Sequence, residues 1–181
     1  MRLAAYSPVA KSLHWLVVVL IAVQLAFGWL MPGARRTAPP DLLNNWHMSL
    51  GLIILAVIVI RVLRRAIVGA PTPEPGPRWQ TAAAATTHGL LYVLVFALLL
   101  SGWANAVAHN WTITLFWTLT LPSVLPAGAA WVQALGELHS TIVWVLLGLV
   151  GLHVAAALGH RFILRDNVLG RMLPARPGDR R

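Results

Sequence analysis

The feature that most constrains this chain is its last apolar run, Leu138 to Leu158, which carries His139 near one end and His153 near the other. An α-helix advances about 100° per residue, so the 14-residue step between them returns to within about 40° of the same face. The two imidazoles therefore point the same way. At a rise of about 1.5 Å per residue they stand about 21 Å apart along the axis, one toward each side of a hydrocarbon layer about 30 Å thick. One helix serves two stacked sites.

Such a helix implies a membrane, and composition agrees. Of 181 residues, 58% are hydrophobic and 10% charged, with a mean hydropathy of +0.72, too few charges for the surface of a soluble domain of this length. The chain reads as an integral membrane protein in contact with the lipid bilayer. Residues 1–181 show no repeat, low-complexity block or Ser/Gly-rich linker, so one domain is expected. The formal charge of +9 does not point to nucleic acid, because the basic residues cluster at the ends of apolar runs. There is no cysteine, which excludes disulfides, thiolate-ligated iron–sulfur clusters and haem attached through C-x-x-C-H. Any haem must be held noncovalently.

Four spans are expected, at about residues 13–31, 46–63, 82–108 and 134–160, packed as an all-α transmembrane four-helix bundle. The first, Leu13 to Met31, stops at Pro32 and Gly33, is too long for a secretory h-region and is read as a retained helix; Pro8, Lys11 and Ser12 mark its start. The apolar part of the second is short, with Arg61 free to snorkel and Trp46 to anchor the other interface. Trp111 to Leu121, apolar with interleaved Thr and closed by Pro122, is too short to cross and is expected to lie at the interface or re-enter. Four spans put Arg2, Lys11, Arg61, Arg64, Arg65, Arg78, Arg161, Arg165, Arg171, Arg176, Arg180 and Arg181 on one side and only Arg35 and Arg36 on the other. The positive-inside rule then places both termini in the cytoplasm.

Histidine inside a span is costly unless paired or ligating. His14 lies near the cytoplasmic start of the first helix and His153 in the cytoplasmic half of the fourth; His47 and His139 both open their helices from the outer side. Four histidines at two matched depths on three helices form two pairs, each able to face one iron. The depths of His14 and His153 agree if Lys11 snorkels or the helices tilt. Haem is favoured over a bare metal because each level offers two imidazoles and no carboxylate or thiolate to complete another shell. Iron with both axial positions filled leaves electron transfer as its chemistry.

Other residues take subsidiary parts. Gly51, Gly148 and Gly151 would let a flat macrocycle approach the backbone, or equally let helices pack closely. Arg61, 14 residues after His47, stands at the inner level, where it could meet a haem propionate or simply mark the interface. His160, two turns beyond His153, and His88 at a similar level could donate to a quinone carbonyl. His109 and Glu137 read as solvated boundary residues.

The segments Tyr6-Ser7, Lys11-Ser12-Leu13-His14-Trp15, Asn45-Trp46-His47-Met48-Ser49-Leu50-Gly51, Leu138-His139, Gly151-Leu152-His153-Val154-Ala155-Ala156-Ala157-Leu158-Gly159-His160, and Asp166-Asn167 with Arg171-Met172-Leu173-Pro174 resemble bacterial cytochrome b561, most nearly its superoxide oxidase branch. The resemblance covers nearly the whole chain, though residues 108–130 contribute little. It implies a four-helix inner-membrane protein with two b haems that takes electrons from superoxide at the periplasmic side and passes them to ubiquinone. Carried over by position, His14 with His153 and His47 with His139 are the axial pairs. His160 belongs to the quinone pocket, and Ser12 joins the cofactor contacts.

Superoxide gives one electron and quinone takes two, so two haems can hold the pair before reduction. Superoxide as donor comes from the resemblance alone. The outer loops offer only Arg35 and Arg36 against Asp41 and Glu137 to steer an anion. An alternative keeps the haems but makes the chain a membrane anchor relaying electrons between quinone and a partner dehydrogenase or hydrogenase. A metal-handling or transport protein is a distant third, since no acidic residue sits deep in a span.

Overall fold

In the computed structural model the described residues are 6–31, 40–123, 125–126 and 128–173. Arg35 and Arg36, expected in the outer loop, and Arg2, Arg176, Arg180 and Arg181 lie outside them, as do Pro32, Gly33 and Pro174.

Four helices run Pro8–Leu30 (α1), Leu42–Val68 (α2), Arg78–Ala108 (α3) and Ala130–Gly159 (α4), the last continued by a π-helical turn, His160–Leu164. Each begins about a turn before the apolar pattern, and at α1 and α2 a capping side chain sets the start. Ser7 accepts the N–H of Ala10 at 3.2 Å with Pro8 in the first turn, and Asp41 accepts the N–H of Asn44 at 2.8 Å. Met31, before Pro32, is forced to an extended ψ of 136° and ends α1. Gly69 ends α2 with a φ of 82°, where a side chain would be strained.

α1, α3 and α4 with its π turn are each long and apolar enough to cross a membrane. Large apolar side chains such as Leu30, Trp144 and Ile163 are mostly exposed, as lipid-facing residues are. α1 packs along α2 and α3 along α4, and these two hairpins meet through α2 and α3. Among the described residues, no Cα of α4 comes within 8 Å of a Cα of α1 or α2. Apolar side chains from all four helices, including Val17, Ile54, Ile58, Val95 and Leu146, converge in a central cluster. A second cluster, Ala104, Val107 and Val132, joins α3 to α4, which touch so closely that a Cβ on Gly136 would stand 2.8 Å from Cα of Asn105.

Residues 111–121 are not helical. Thr114–Leu115 (β1) and Leu119–Thr120 (β2) pair antiparallel, with Phe116 and Trp117 at φ of 45° and 60° and Thr118 N–H closing the turn on Leu115 O at 3.0 Å. Asn45 Nδ2 donates to Thr114 Oγ1 at 2.7 Å, Ser49 Oγ accepts Phe116 N–H at 2.9 Å, and Trp46 packs edge-on against Phe116 and Trp117. The segment is therefore a hairpin laid on the first turns of α2. Its alternating Thr was the signal for a strand, outweighed in the sequence by overall apolarity.

At the opposite end, the residues after the π turn fold back across the bundle. Lys11 Nζ donates to Leu173 O at 2.7 Å, Trp15 Nε1 to Met172 O at 2.9 Å, and Arg171 Nη2 to Thr72 O at 2.7 Å, with Arg171 Nη1 3.3 Å from Glu74.

Candidate cofactor site

The bundle brings the four histidines together in two pairs. His14 of α1 and His153 of α4 have ring centroids 6.4 Å apart with planes at 72°; His47 of α2 and His139 of α4 are 6.3 Å apart at 82°. Two imidazoles on opposite sides of one metal, with metal–nitrogen bonds of about 2.0–2.1 Å, put their centroids about 6.3–6.5 Å apart. Both spacings match. His88 of α3 also meets His153, but at 5.3 Å, too close for that pair to share one iron on opposite sides.

Local structure fixes one ring of the pair His47 and His139. His139 Nδ1 faces the carbonyl of Leu98 at 3.0 Å and the hydroxyl of Ser101 at 3.1 Å. A carbonyl only accepts, so Nδ1 carries the hydrogen and Nε2 keeps its lone pair for a metal. Gly102 leaves room for this ring: a Cβ there would stand 3.1 Å from Cε1 of His139. Gln24 Nε2 donates to the backbone carbonyl of His47 at 2.9 Å, while Nδ1 of His47 is buried with no hydrogen-bond partner among the described residues.

A macrocycle also has space. α4 reaches α1 and α2 through side chains without close backbone approach, and Cβ atoms at Gly148 and Gly151 would meet nothing within 4 Å. Gly51 instead faces Gln24 and Leu99. No group of three or more His, Cys, Asp or Glu that could hold a bare ion occurs among the described residues. Pairs of imidazoles suit a porphyrin, which brings its own four equatorial nitrogens.

Beside the inner pair lies a pocket of about 140 Å³ lined by Tyr6, Ser7, Arg61, Arg64, Arg65 and Tyr92, among others. Arg64 donates to Ser7 Oγ. Arg61 Nη1 and Arg64 Nε are buried with no hydrogen-bond partner among the described residues, so the pocket offers donors to an acidic group.

The remaining expectations resolve individually. Ser12 is exposed, two residues before His14. His160 Nδ1 lies 2.5 Å from Asp166 Oδ2, and His88 lies beside His153. Glu137 is exposed, but His109 is only half-exposed, with Nδ1 2.7 Å from Asn105 O and its ring on Trp111. Asp166, Ser101, Gly102 and Gln24 contribute to these contacts without a motif of their own that assigns them a part. The visible signals are a polar Gln24 within the first apolar run and the place of Asp166 in a segment that carries the resemblance.

Paired imidazoles at two levels of a transmembrane helical bundle define a membrane electron-transfer cytochrome. Residues 5–175 match the family described as prokaryotic cytochrome b561, and the chain belongs to that family. Binding of b haem follows from membership. The chain is 32% identical to cytochrome b561 homolog 2 of Escherichia coli (strain K12) over 93% of its own length and 90% of that protein's. It is 29% identical to the probable superoxide oxidase CybB of Yersinia pestis over 96% and 98%, and 29% identical to cytochrome b562 of Cereibacter sphaeroides over 94% and 96%.

Proposed function

We propose that this protein is a di-haem oxidoreductase of the bacterial inner membrane, with both termini cytoplasmic, that oxidises superoxide at the periplasmic side and reduces ubiquinone. Two superoxide ions leave as dioxygen, and one quinone gains their two electrons and two protons to become quinol. The observation that carries this reading is the pair of centroid spacings, 6.4 Å and 6.3 Å, set at two levels of α4.

His14 with His153 and His47 with His139 would hold the two haems, which when bound supply reversible one-electron iron chemistry. Leu98 and Ser101 fix His139, and Gln24 braces the His47 turn. Arg61 and Arg64 would meet the inner propionates, since both line the pocket beside Leu13 and each keeps a buried nitrogen with no hydrogen-bond partner among the described residues. His160, on the face of His153 and two turns beyond it, would contact quinone. His88 would stand beside the inner pair as a further donor, and Ser12 near the quinone opening.

The relative named a probable superoxide oxidase supports superoxide as donor. The few outer cations, Arg35 and Arg36 against Asp41 and Glu137, favour instead a membrane anchor relaying electrons between quinone and a partner dehydrogenase or hydrogenase. A visible spectrum of the purified protein, with haem quantified per chain, separates these. Two b haems reduced by superoxide and reoxidised by ubiquinone support the first reading. Two haems indifferent to superoxide leave the anchor, and no haem rejects both.

A further inference from the structure

The end of α4 is built around one side-chain contact that electron transfer between histidines does not use. After Gly159 the helix widens into the π turn His160–Leu164, and Arg165 turns the chain with a φ of 56°. The N–H groups of Arg165 and Asp166 both return to the carbonyl of His160, the second at 3.1 Å. This reversal brings Asp166 Oδ2 to 2.5 Å from His160 Nδ1, while Oδ1 accepts the N–H of Val168 at 3.1 Å. A non-glycine residue in the left-handed region costs about 1–2 kcal/mol, so the turn holds against a local penalty. Lys11 and Trp15, donating to the carbonyls of Leu173 and Met172, hold the following segment against α1.

Both partners stay open to the cytoplasmic end, with side chains 24% and 29% exposed. With Nδ1 committed to the carboxylate, the other ring nitrogen of His160 is the one left for a substrate. In its protonated form His160 bears hydrogen on both nitrogens, Nδ1–H on Asp166 and Nε2–H available to be given away. Loss of the Nε2 proton leaves the neutral tautomer that Asp166 already holds. No ring rotation or tautomer exchange is then needed before water restores the proton.

We propose that Asp166 is a positioning residue for quinone reduction, orienting His160 so that Nε2 delivers a proton to the quinone carbonyl oxygen. In this step the Nε2–H bond breaks and the O–H bond of the quinol forms; two such protons, drawn from cytoplasmic water, accompany the two electrons supplied by two superoxide ions. The inference rests on the reading that quinone is reduced at this end of the bundle.

The test uses the purified two-haem protein, reduced with dithionite and mixed anaerobically with ubiquinone-1, following haem reoxidation against quinone concentration. Asp166→Asn is expected to keep haem content and visible spectrum, to change the half-saturating quinone concentration by less than about twofold, and to lower the maximal rate about tenfold or more. Asp166→Glu should recover much of that rate, and His160→Gln combined with Asp166→Asn should be no slower than His160→Gln alone. An Asn variant with the wild-type maximal rate, or weaker half-saturation at an unchanged maximal rate, overturns the proposal. Should the Asn variant lose haem, His160→Gln decides, and a wild-type maximal rate there overturns it equally. Wild-type haems that quinone fails to reoxidise overturn the functional reading, and this inference with it.

Discussion

Gly102 lies against the ring of His139, where a Cβ would stand 3.1 Å from Cε1 and 3.3 Å from Nδ1. What this glycine provides is room, since its neighbour is a ring already held by Leu98 and Ser101. Gly102→Val should push the His139 ring out of its 6.3 Å spacing from His47 and lower haem content, read as haem per chain below that of wild type. Gly102→Ala should retain the haem with a shifted midpoint potential in a redox titration.

His139→Ala and His153→Ala should each leave one haem per chain, and His88→Ala should leave two. The 5.3 Å between His88 and His153 is shorter than an iron between two imidazoles needs, whereas 6.4 Å from His14 fits. A haem assay on the three variants checks this; loss of a haem on removing His88 would reassign the inner pair.

Gly136→Ala should destabilise the α3–α4 hairpin without touching a ligand. The added Cβ would lie 2.8 Å from Cα and 3.1 Å from N of Asn105, backbone atoms that cannot swing away. Overpacking of this kind costs about 1–3 kcal/mol, visible as a lower Tm in detergent.

Ser49→Ala should loosen the hairpin over α2. Ser49 is fully buried and accepts the N–H of Phe116, whose removal leaves that donor unmet at about 1–3 kcal/mol. Faster amide exchange at residues 114–120, with the helices unchanged, is the expected result.

The Asp166 contact should weaken in acid. Desolvation opposes its charge, but the hydrogen bonds from His160 and the Val168 N–H prevail and hold the carboxyl below its ordinary value of 3.8. A depressed folded-state value contributes stability that is present in full above the unfolded value and lost as pH falls through the folded one. Amide exchange at Val168, corrected for its intrinsic pH dependence, should therefore rise once the pH drops below 3.8.

Much of this architecture was legible in the chain because the bilayer imposes strong one-dimensional rules. Apolar length marks α1, α3 and α4 as spans, whereas α2, whose apolar part is short, is recognised as a helix but not by length and hydropathy as a crossing one. The helices start about a turn before their apolar stretches, and for α1 and α2 the polar caps Ser7 and Asp41 account for the extension. The hairpin at residues 114–120 was missed because pairing with α2 through Asn45 and Ser49 is nonlocal.

By itself the sequence determined that the chain is a membrane protein with histidines at two depths, because helical periodicity and hydropathy are local and additive along the chain. Only the tertiary structure decided that His153 faces His14 at ligand spacing and His88 too closely, and that His160 meets Asp166 across a π turn. Those choices depend on how helix hairpins lean together and how a chain reverses, which no periodicity along a single helix records.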